Sequence, residues 1–181
     1  MSIMEIYCKL NPGFDSETIR HAMEYAAKCH IGTNHIYDGH PYTIHLKMVY
    51  DFGCQFAYLL KKEEIDTALA ACWTHDTIED TRQTYNDVKK QCGTGIAEVV
   101  YALTNEKGRT RAERANDKYY QGIRENELAT FVKLCDRLAN TSYSAAHNQK
   151  MIETYRCEMP HFCQTIYNAR FEPMFKELKR L

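Results

Sequence analysis

Residues 68–81 read ALAACWTHDTIEDT, an apolar run that changes at once into a cluster of charged and polar side chains. The apolar positions continue a one-sided pattern that includes Ile65, Leu69 and Trp73, and this spacing predicts a buried helix over residues 63–73. If the helix continues, the next polar groups fall within about 140° of one another around its axis. One helix face would then carry His75, Asp76, Glu79 and Asp80.

The three carboxylates of this cluster favour a bound cation. Burying an uncompensated carboxylate costs several kcal/mol, and three carboxylates together repel one another. The alternative is a solvated helix end, but the apolar stripe just before the cluster favours a face that points inward. Adjacent His75 and Asp76 cannot complete a coordination sphere alone, so further ligands must come from other segments.

Two distant residues can supply those ligands. His45 lies one helical turn after Pro41, in a stretch that otherwise has the pattern of a core helix. Asp136 interrupts an apolar stripe and shares a neighbouring helix face with Asn140 through their i, i+4 spacing. Taken singly, His45 is more often a hydrogen-bonded core histidine, and Asp136 is more often a partner of Arg137. Their combination with the charged cluster favours a metal site.

The rest of the chain predicts an all-α protein. It has eight Gly and four Pro, and one-faced apolar patterns recur along its 181 residues. We expect one domain over residues 1–181, built as an irregular bundle of short helices. The predicted helices run from the cap at Asp15 and Ser16 to Gly32, from Pro41 to Gly53, over residues 63–73, from Thr84 to Gly93, and over residues 96–103, 110–124, 126–140 and 145–180, with a break near Pro160.

The composition limits the partners and the compartment. The formal net charge is −1, so no global field draws the protein to nucleic acid or to an anionic membrane. The eight cysteines are scattered singly, which favours free thiols in a reducing compartment. The N-terminal residues show no leader pattern, and no stretch approaches membrane-spanning length. We therefore expect a cytoplasmic protein without nucleic-acid or membrane partners.

Three segments, in order, resemble one family. GHPYTIHL at residues 39–46, HDTIEDT at 75–81 and KLCDRLAN at 133–140 resemble the HD-domain metal-dependent phosphohydrolases, and most of all the hydrolase domain of the RelA/SpoT enzymes and the small alarmone hydrolases. The resemblance covers residues 18–145. It implies an HD-type helical bundle with metal ligands at His45, His75, Asp76 and Asp136, a catalytic acidic pair at Glu79 and Asp80, and a substrate-contacting Asn140.

The resemblance also implies an activity. Members of the family typically bind one Mn²⁺ and remove the 3′-pyrophosphate of guanosine tetra- or pentaphosphate. A set of His and Asp ligands with open positions suits Mn²⁺ or Fe²⁺ better than a closed structural zinc site. The metal would activate a water molecule, and Glu79 and Asp80 would orient that water and accept its proton. The implied partner is therefore a nucleotide substrate.

A basic segment also resembles the small alarmone hydrolases. ALTNEKGRTRAER at residues 102–114 carries four cations within eight residues. Such cations suit a clamp for a polyphosphate, because guanidinium groups bind phosphate through paired hydrogen bonds. The alternative is the solvated start of a basic helix. The four residues are Lys107, Arg109, Arg111 and Arg114.

One segment departs from the family pattern. Where the alarmone hydrolases usually carry an Arg-Lys pair, residues 34–38 read NHIYD, so two positive charges are absent from the expected guanosine pocket. His35 or Tyr37 could stack on a base instead, although a loop aromatic more often packs locally. The departure leaves open an HD phosphohydrolase for another nucleotide. A catalytically silent nucleotide-sensing HD module is a third hypothesis, which intact Glu79 and Asp80 oppose. No synthetase-like pattern follows, so we expect no bifunctional enzyme.

Overall fold

Helices joined by short turns make up nearly all of the fold. The computed structural model describes residues 9–105 and 109–181, without the side chains of residues 111 and 112. The helices are α1 (Glu17–Gly32), α2 (Thr43–Phe56), α3 (Ile65–Thr74), α4 (Thr77–Asp80), α5 (Tyr85–Cys92), α6 (Thr94–Leu103), α7 (Arg111–Arg114), α8 (Asp117–Glu125), α9 (Glu127–His147), α10 (Gln149–Thr165) and α11 (Glu172–Leu178). Short 3₁₀ turns occupy Ala57–Leu59, Lys62–Glu64 and Ala169–Phe171, and a small hairpin pairs β1 (Ile36–Tyr37) with β2 (His40–Pro41). The all-α prediction is confirmed.

Side-chain caps fix where two of the predicted helices begin. At the start of α1, the Ser16 side chain accepts a hydrogen bond from the Ile19 amide. At the start of α5, Thr84 Oγ1 accepts from the Asp87 amide at 3.3 Å, and Asp87 Oδ2 accepts from the Thr84 amide at 2.8 Å. These caps satisfy amides that have no partner inside the helix. Thr84 and Asp87 thus form a capping box at the predicted start of this helix.

Helix α9 lies at the centre of the core. It packs against α2, α3, α6, α8, α10 and α11. Its side chains Phe131, Leu134 and Leu138 have no exposed surface. Trp73 of α3 is also fully buried, with its ring 5.3 Å from that of Tyr50 in α2. Because apolar burial stabilises a fold roughly in proportion to the area removed from water, this centre holds α2, α3 and α9 in fixed positions.

Gly53 does not end the second helix, as the sequence predicted, because α2 continues to Phe56. A Cβ atom at this position would lie 2.7 Å from Leu69 Cδ2 and 3.0 Å from Cys72 Sγ. Both of those residues are fully buried in α3. The glycine therefore lets α2 and α3 approach closely, and this contact outweighs the weak helix preference of glycine.

We expect Gly53→Ala to lower the free energy of unfolding by about 1–2 kcal/mol. Overpacking a core costs about 1–3 kcal/mol, and alanine recovers up to about 1 kcal/mol through its higher helix propensity. Urea unfolding would measure the change. Gly32→Ala is the matched control, because a Cβ there meets nothing within 4 Å. Equal stability of both variants would contradict the close-contact explanation.

The C-terminal half differs from the predicted helix boundaries. α9 continues beyond residue 140 to His147, and the last predicted helix is interrupted after Thr165. The predicted helix over residues 110–124 is divided, because Asn116 caps a new helix by accepting a hydrogen bond from the Tyr119 amide. The predicted break near Pro160 is wrong, because α10 runs through this residue to Thr165. Pro160 lies on the exposed surface, where water can bond the carbonyl group that proline leaves without a donor.

The hairpin was not predicted. Ile36 pairs with Pro41 and Tyr37 pairs with His40, so Pro41 ends a strand and does not open α2. The two turn residues are Asp38 and Gly39, with φ of 48° and 80°. Asp-Gly is a preferred pair for two-residue hairpin turns, because both positions need positive φ. That dipeptide was the signal in the sequence.

The described part of the chain contains no helix that is long and apolar enough to cross a bilayer.

Candidate active site

The junction between α3 and α4 presents two of the predicted metal ligands. α3 ends at Thr74 and α4 begins at Thr77, so the helix does not continue unbroken through residue 80, which was the condition for the four residues to share one face. Asp76 leaves helical geometry, with φ −96° and ψ 3°. As a result, His75 Nε2 lies 2.8 Å from Asp76 Oδ2. Consecutive side chains on an unbroken helix point about 100° apart, so the break allows both to face one point.

Helices α2 and α9 bring the other two predicted ligands to the same point. His45 Nε2 lies 3.6 Å from Asp76 Oδ2 and 3.3 Å from Asp136 Oδ1. His75 Nε2 lies 3.9 Å from the same Asp136 oxygen. The structure thus brings four residues from three separate segments together. His45, His75, Asp76 and Asp136 form what is called below the ligand cluster.

The ligand cluster fits a divalent cation. His75 Nδ1 lies 3.0 Å from the Cys72 carbonyl oxygen, so Nδ1 carries the proton and Nε2 presents a lone pair. Among the described residues, the buried Nε2 has no hydrogen bond of proper geometry, although Asp76 Oδ2 is only 2.8 Å away. Neighbouring ligands on a cation with bonds of about 2.1 Å lie about 3 Å apart. The separations of 2.8 to 3.9 Å within the cluster are close to this value.

Three side chains hold the two carboxylates of the cluster. The Tyr42 hydroxyl donates to Asp76 Oδ2 at 2.5 Å. Lys133 Nζ donates to Asp136 Oδ2 at 2.9 Å, and Asn140 Nδ2 donates to Asp136 Oδ1 at 2.5 Å. Such outer partners orient metal ligands and tune their basicity. Tyr42 and Lys133 were missed in the sequence, although each lies three residues before a predicted ligand and therefore on the same helix face.

The carboxylates and imidazoles of the cluster set one another's pKa values. Burial alone would raise the pKa of Asp136, but the Lys133 charge and the His45 hydrogen bond hold it well below its usual range. Burial alone would also raise the pKa of Asp76, but His75 and His45 hold it well below its usual range. Burial would lower the pKa of His45, whereas Asp136 and Asp76 raise it to about 9. In the absence of a cation, His45 therefore holds a proton at neutral pH.

We expect binding of a divalent cation at pH 7 to release at least one proton, from His45, because a metal-bound histidine must be neutral and this histidine is charged below about pH 9. The apparent affinity should rise with pH up to that value. Titration calorimetry in two buffers of different ionisation enthalpy measures the release. His45→Gln should reduce it, and His21→Gln, on the exposed surface of α1, should not. Binding without proton release would contradict the assignment of His45 as a ligand.

The predicted acidic pair lies on α4, next to the ligand cluster. Asn105 holds Glu79 through two hydrogen bonds, from Nδ2 to Oε1 at 2.6 Å and from its amide to Oε2 at 3.3 Å. The Asp80 side chain is 33% exposed. Its partial burial and the charges of Asp76 and Glu79 raise the pKa of Asp80 to about 7. Glu79 is thus fixed in orientation, and Asp80 can exchange a proton near neutral pH. Asn105 was missed, because no spacing in the sequence links it to α4.

A cavity of about 840 Å³ borders these groups. Its wall includes cluster members, the acidic pair, three cations and several aromatic rings from α8 and α10. The three cations, Arg114, Lys133 and Arg137, come from two different segments, so positive charge in the cavity is not confined to the basic segment. The cluster members on the wall are His45, Asp76 and Asp136, and the acidic pair is Glu79 and Asp80. The aromatic rings are those of Tyr119, Tyr120, Tyr155 and Phe162.

The predicted phosphate clamp is only partly at this cavity. Arg114 lines it. Arg109 is exposed and is not one of the described residues that line the cavity. Lys107 lies outside the described residues, and so does the side chain of Arg111. Arg114 is therefore the member of the basic segment with a visible relation to the site.

The other predicted substrate residues have partners within the protein. Asn140 lines the cavity and accepts a hydrogen bond from the Tyr37 hydroxyl at 3.0 Å. The Tyr37 ring stacks on the His45 ring at 5.0 Å, and the His35 ring stacks on Tyr42 at 3.8 Å. One face of each ring that was expected to stack on a base is therefore occupied by a protein side chain.

Comparison with known proteins supports the resemblance. No family model matches the chain. The guanosine-3′,5′-bis(diphosphate) 3′-pyrophosphohydrolase MESH1 of Danio rerio is 32% identical over 72 residues, which are 40% of this chain and 40% of that protein. The guanosine-3′,5′-bis(diphosphate) 3′-pyrophosphohydrolase of Aquifex aeolicus (strain VF5) is 33% identical over 128 residues, which are 69% of this chain and 17% of that protein. The matched stretch thus spans less than half of either relative.

The fold is similar to that of a solved structure. This structure, of a metazoan ortholog of SpoT that hydrolyzes ppGpp, matches with a TM-score of 0.69 over 92% of this chain and 96% of that chain. The two chains are 22% identical, and at this level the likeness establishes the shared helical fold. In sequence this chain is similar to guanosine-3′,5′-bis(diphosphate) 3′-pyrophosphohydrolases, and in fold it is similar to the SpoT ortholog, as its three motifs indicated.

Proposed function

We propose that this chain is a metal-dependent pyrophosphohydrolase that removes the 3′-pyrophosphate of guanosine tetra- or pentaphosphate. The ligand cluster carries this proposal, because its four histidine–aspartate distances, between residues of three segments, are 2.8 to 3.9 Å, beside a cavity that an acidic pair also lines. The names of the two relatives support the choice of reaction and substrate.

The cofactor in this proposal is one Mn²⁺ per chain, held by the ligand cluster. Two imidazole nitrogens and two carboxylates are a donor set that Mn²⁺ and Fe²⁺ accept, whereas closed structural zinc sites favour thiolates. When bound, the cation supplies charge that polarises a phosphoryl oxygen and acidifies the attacking water. Fe²⁺ or another divalent ion is the alternative.

Glu79 is the proposed general base. Asn105 fixes both of its carboxylate oxygens, and Glu79 lines the cavity beside Asp76. In hydrolysis, a water oxygen forms a bond to the phosphorus attached to O3′, and its proton passes to Glu79. The bond between that phosphorus and O3′ then breaks, so the pyrophosphate group leaves the nucleotide as one intact product.

Asp80 is the proposed general acid. The departing O3′ must gain a proton to become the 3′-hydroxyl of the product. Without a cation, burial and the neighbouring carboxylates raise the pKa of Asp80 to about 7, and a raised pKa is the property that suits a carboxyl group to give a proton. The two neighbouring carboxyl groups thus take different roles. Asn105 fixes Glu79 as the base, whereas partial burial beside other carboxylates raises the pKa of Asp80, the acid.

Cations on the cavity wall are proposed to hold the phosphates. Lys133 and Arg137 are each partly neutralised, by Asp136 at 2.9 Å and by Glu158 at 2.8 Å. Arg114 lies on an exposed part of the wall, where it can form paired hydrogen bonds with a phosphate. Arg114 is therefore the residue of the basic segment that we assign to substrate binding, and Asn140 is the proposed contact near the cluster.

Arg114→Ala should raise the KM for guanosine tetraphosphate by about 10- to 150-fold at low salt, the equivalent of about 1.5–3 kcal/mol for one charge-assisted hydrogen bond. The KM for a nucleoside monophosphate should change much less. The defect should shrink as salt rises, because mobile ions screen exposed charge pairs. Steady-state kinetics at two salt concentrations tests this, with Arg20→Ala on the exposed face of α1 as the control. Equal defects on both substrates would contradict the assignment.

A second function is favoured by residues 34–38. This segment lacks the Arg-Lys pair of the alarmone hydrolases, and the His35 and Tyr37 rings are stacked on other side chains. The absence of this pair leaves fewer positive charges for phosphates, which favours a less highly charged nucleotide. Incubation of the purified protein and Mn²⁺ with a panel of nucleotides, followed by separation of the products, decides between the substrates. If another nucleotide is cleaved rapidly while guanosine tetraphosphate stays intact, that nucleotide replaces the proposed substrate. If nucleotides bind but none is cleaved, a sensing module is favoured.

The proposal also covers the domain organisation and the compartment. We propose a single domain, because α9 packs against helices from both halves of the chain. We propose a cytoplasmic location, because Cys72 and Cys135 are fully buried thiols within the core, where they act as apolar side chains in a reducing environment.

A further inference from the structure

His30, His35 and Tyr42 form a ring cluster beside the acidic pair. The His30 and His35 planes are inclined by 17° and 16° to the Tyr42 plane, with ring centroids 4.7 and 3.8 Å from its own. The two histidines meet with their Nδ1 atoms 2.9 Å apart. This packing fixes the orientation of both imidazole rings.

The hydrogen bond between the two histidines requires one N–H and one lone pair. His30 is fully buried, and burial lowers its pKa to about 3, so this histidine is neutral. Its Nε2 is buried without a partner among the described residues. A buried N–H without an acceptor is rarer in proteins than an unsatisfied acceptor. His30 therefore carries its proton on Nδ1 and donates it to His35.

The proton of neutral His35 must then lie on Nε2, because its Nδ1 accepts from His30. Nε2 is the nitrogen that faces Asp80, at 4.0 Å from Oδ2. This distance is longer than a direct hydrogen bond. Catalytic hydrogen bonds are often long in the absence of substrate and shorten in the reacting complex. Both side chains are partly exposed, 27% for His35 and 33% for Asp80, so protein packing leaves room for Asp80 to approach the fixed His35 ring.

We propose that His35 is a positioning residue for Asp80, and that His30 holds His35 in the tautomer with its proton on Nε2. The inference rests on the proposed function, in which Asp80 gives a proton to the departing oxygen. An N–H directed at Oδ2 leaves the second carboxyl oxygen, Oδ1, to carry the proton toward the substrate. His35 itself does not line the cavity among the described residues, and it acts through Asp80.

Two substitutions of His35 separate this role from simple packing. His35→Gln can place an N–H where Nε2–H stands, whereas His35→Asn keeps a polar atom near the Nδ1 position and nothing at Nε2. We expect His35→Asn to lower kcat about 10-fold or more with little change in KM, as for loss of an outer-shell partner. His35→Gln should keep most of the wild-type kcat. His21→Asn, at an exposed position on α1, is the control for loss of a histidine and should leave kcat unchanged.

Two measurements need no substrate. Nitrogen-15 NMR of labelled histidines should show the proton of His30 on Nδ1 and that of His35 on Nε2. Carbon-13 NMR of the Asp80 carboxyl should show a higher titration midpoint in His35→Asn than in His35→Gln, because an N–H donor favours the charged carboxylate. A His35 proton on Nδ1, equal Asp80 midpoints in the two variants, or full kcat in His35→Asn would overturn the inference. If the wild-type protein does not cleave guanosine tetraphosphate, the proposed function fails, and the two NMR results still decide whether His35 positions Asp80.

Discussion

Asp136→Asn should abolish metal binding and turnover and also lower the free energy of unfolding. Asp136 Oδ1 lies within 3.9 Å of both cluster histidines, and Oδ2 accepts a hydrogen bond from Lys133. Removal of its charge takes away a ligand and leaves the Lys133 ammonium without its carboxylate. Breaking a buried ion pair costs about 3–5 kcal/mol. Because the Lys133 side chain is 20% exposed, we expect a loss near the lower end of this range.

Asp76→Asn is the informative comparison. It removes a second carboxylate of the cluster, but the described partner of Asp76 outside the cluster is the neutral Tyr42 hydroxyl. Both variants should therefore lose at least the roughly 10- to 100-fold in metal affinity that is typical of lost outer-shell partners. Asp136→Asn should lose more stability than Asp76→Asn, because it also leaves the Lys133 ammonium without its carboxylate. Metal analysis and urea unfolding measure the two effects, with exposed Asp66→Asn as the control. Metal occupancy near one per chain in both variants would contradict the site.

Glu79→Gln should keep the metal and lose most of the turnover. Glu79 is not a member of the ligand cluster, and Asn105 holds its carboxylate in place. The amide of glutamine keeps the shape of the side chain but cannot accept a proton from water. General base assistance contributes about 10²- to 10⁴-fold to a rate, so kcat should fall by a factor in this range.

Glu98→Gln is the matched control for this variant. Glu98 also accepts a hydrogen bond from a neutral donor, the Tyr85 hydroxyl at 2.5 Å, but it is exposed and lies outside the cavity wall that the structure describes. Kinetics and metal analysis of both variants would separate a chemical role from a structural one. Wild-type turnover in a metal-loaded Glu79→Gln protein would remove Glu79 as the base.

The sequence predicted the ligand cluster better than the backbone that presents it. His45 and Asp136 were found because a charged group interrupts an apolar helical stripe, and such an interruption is visible in one sequence. The turn at Asp76 was not found, because the helical pattern continues through it and no Gly or Pro marks the break. Gly53 was taken as a helix end, because its contact with Leu69 depends on how two helices cross.

The supporting residues differ in how far the sequence could reveal them. Tyr42 and Lys133 lie three residues before His45 and Asp136, so helical spacing alone could have placed them beside the ligands. Asn105 belongs to a different segment from Glu79, and only the packing of α6 against the other helices brings the two together. Contacts of this kind depend on tertiary structure and leave no local pattern.

The most direct test of the proposed chemistry is to identify the bond that the protein breaks. Purified protein with Mn²⁺ would be incubated with guanosine tetraphosphate in ¹⁸O-labelled water, and the products would be analysed by mass spectrometry and, after removal of the metal, by ³¹P NMR. Attack on the phosphorus attached to O3′ predicts guanosine 5′-diphosphate without label and pyrophosphate with one ¹⁸O, and neither product should form when a chelator is present. Release of labelled orthophosphate, label in the guanosine product, or full activity in the presence of the chelator would contradict a metal-dependent 3′-pyrophosphohydrolase.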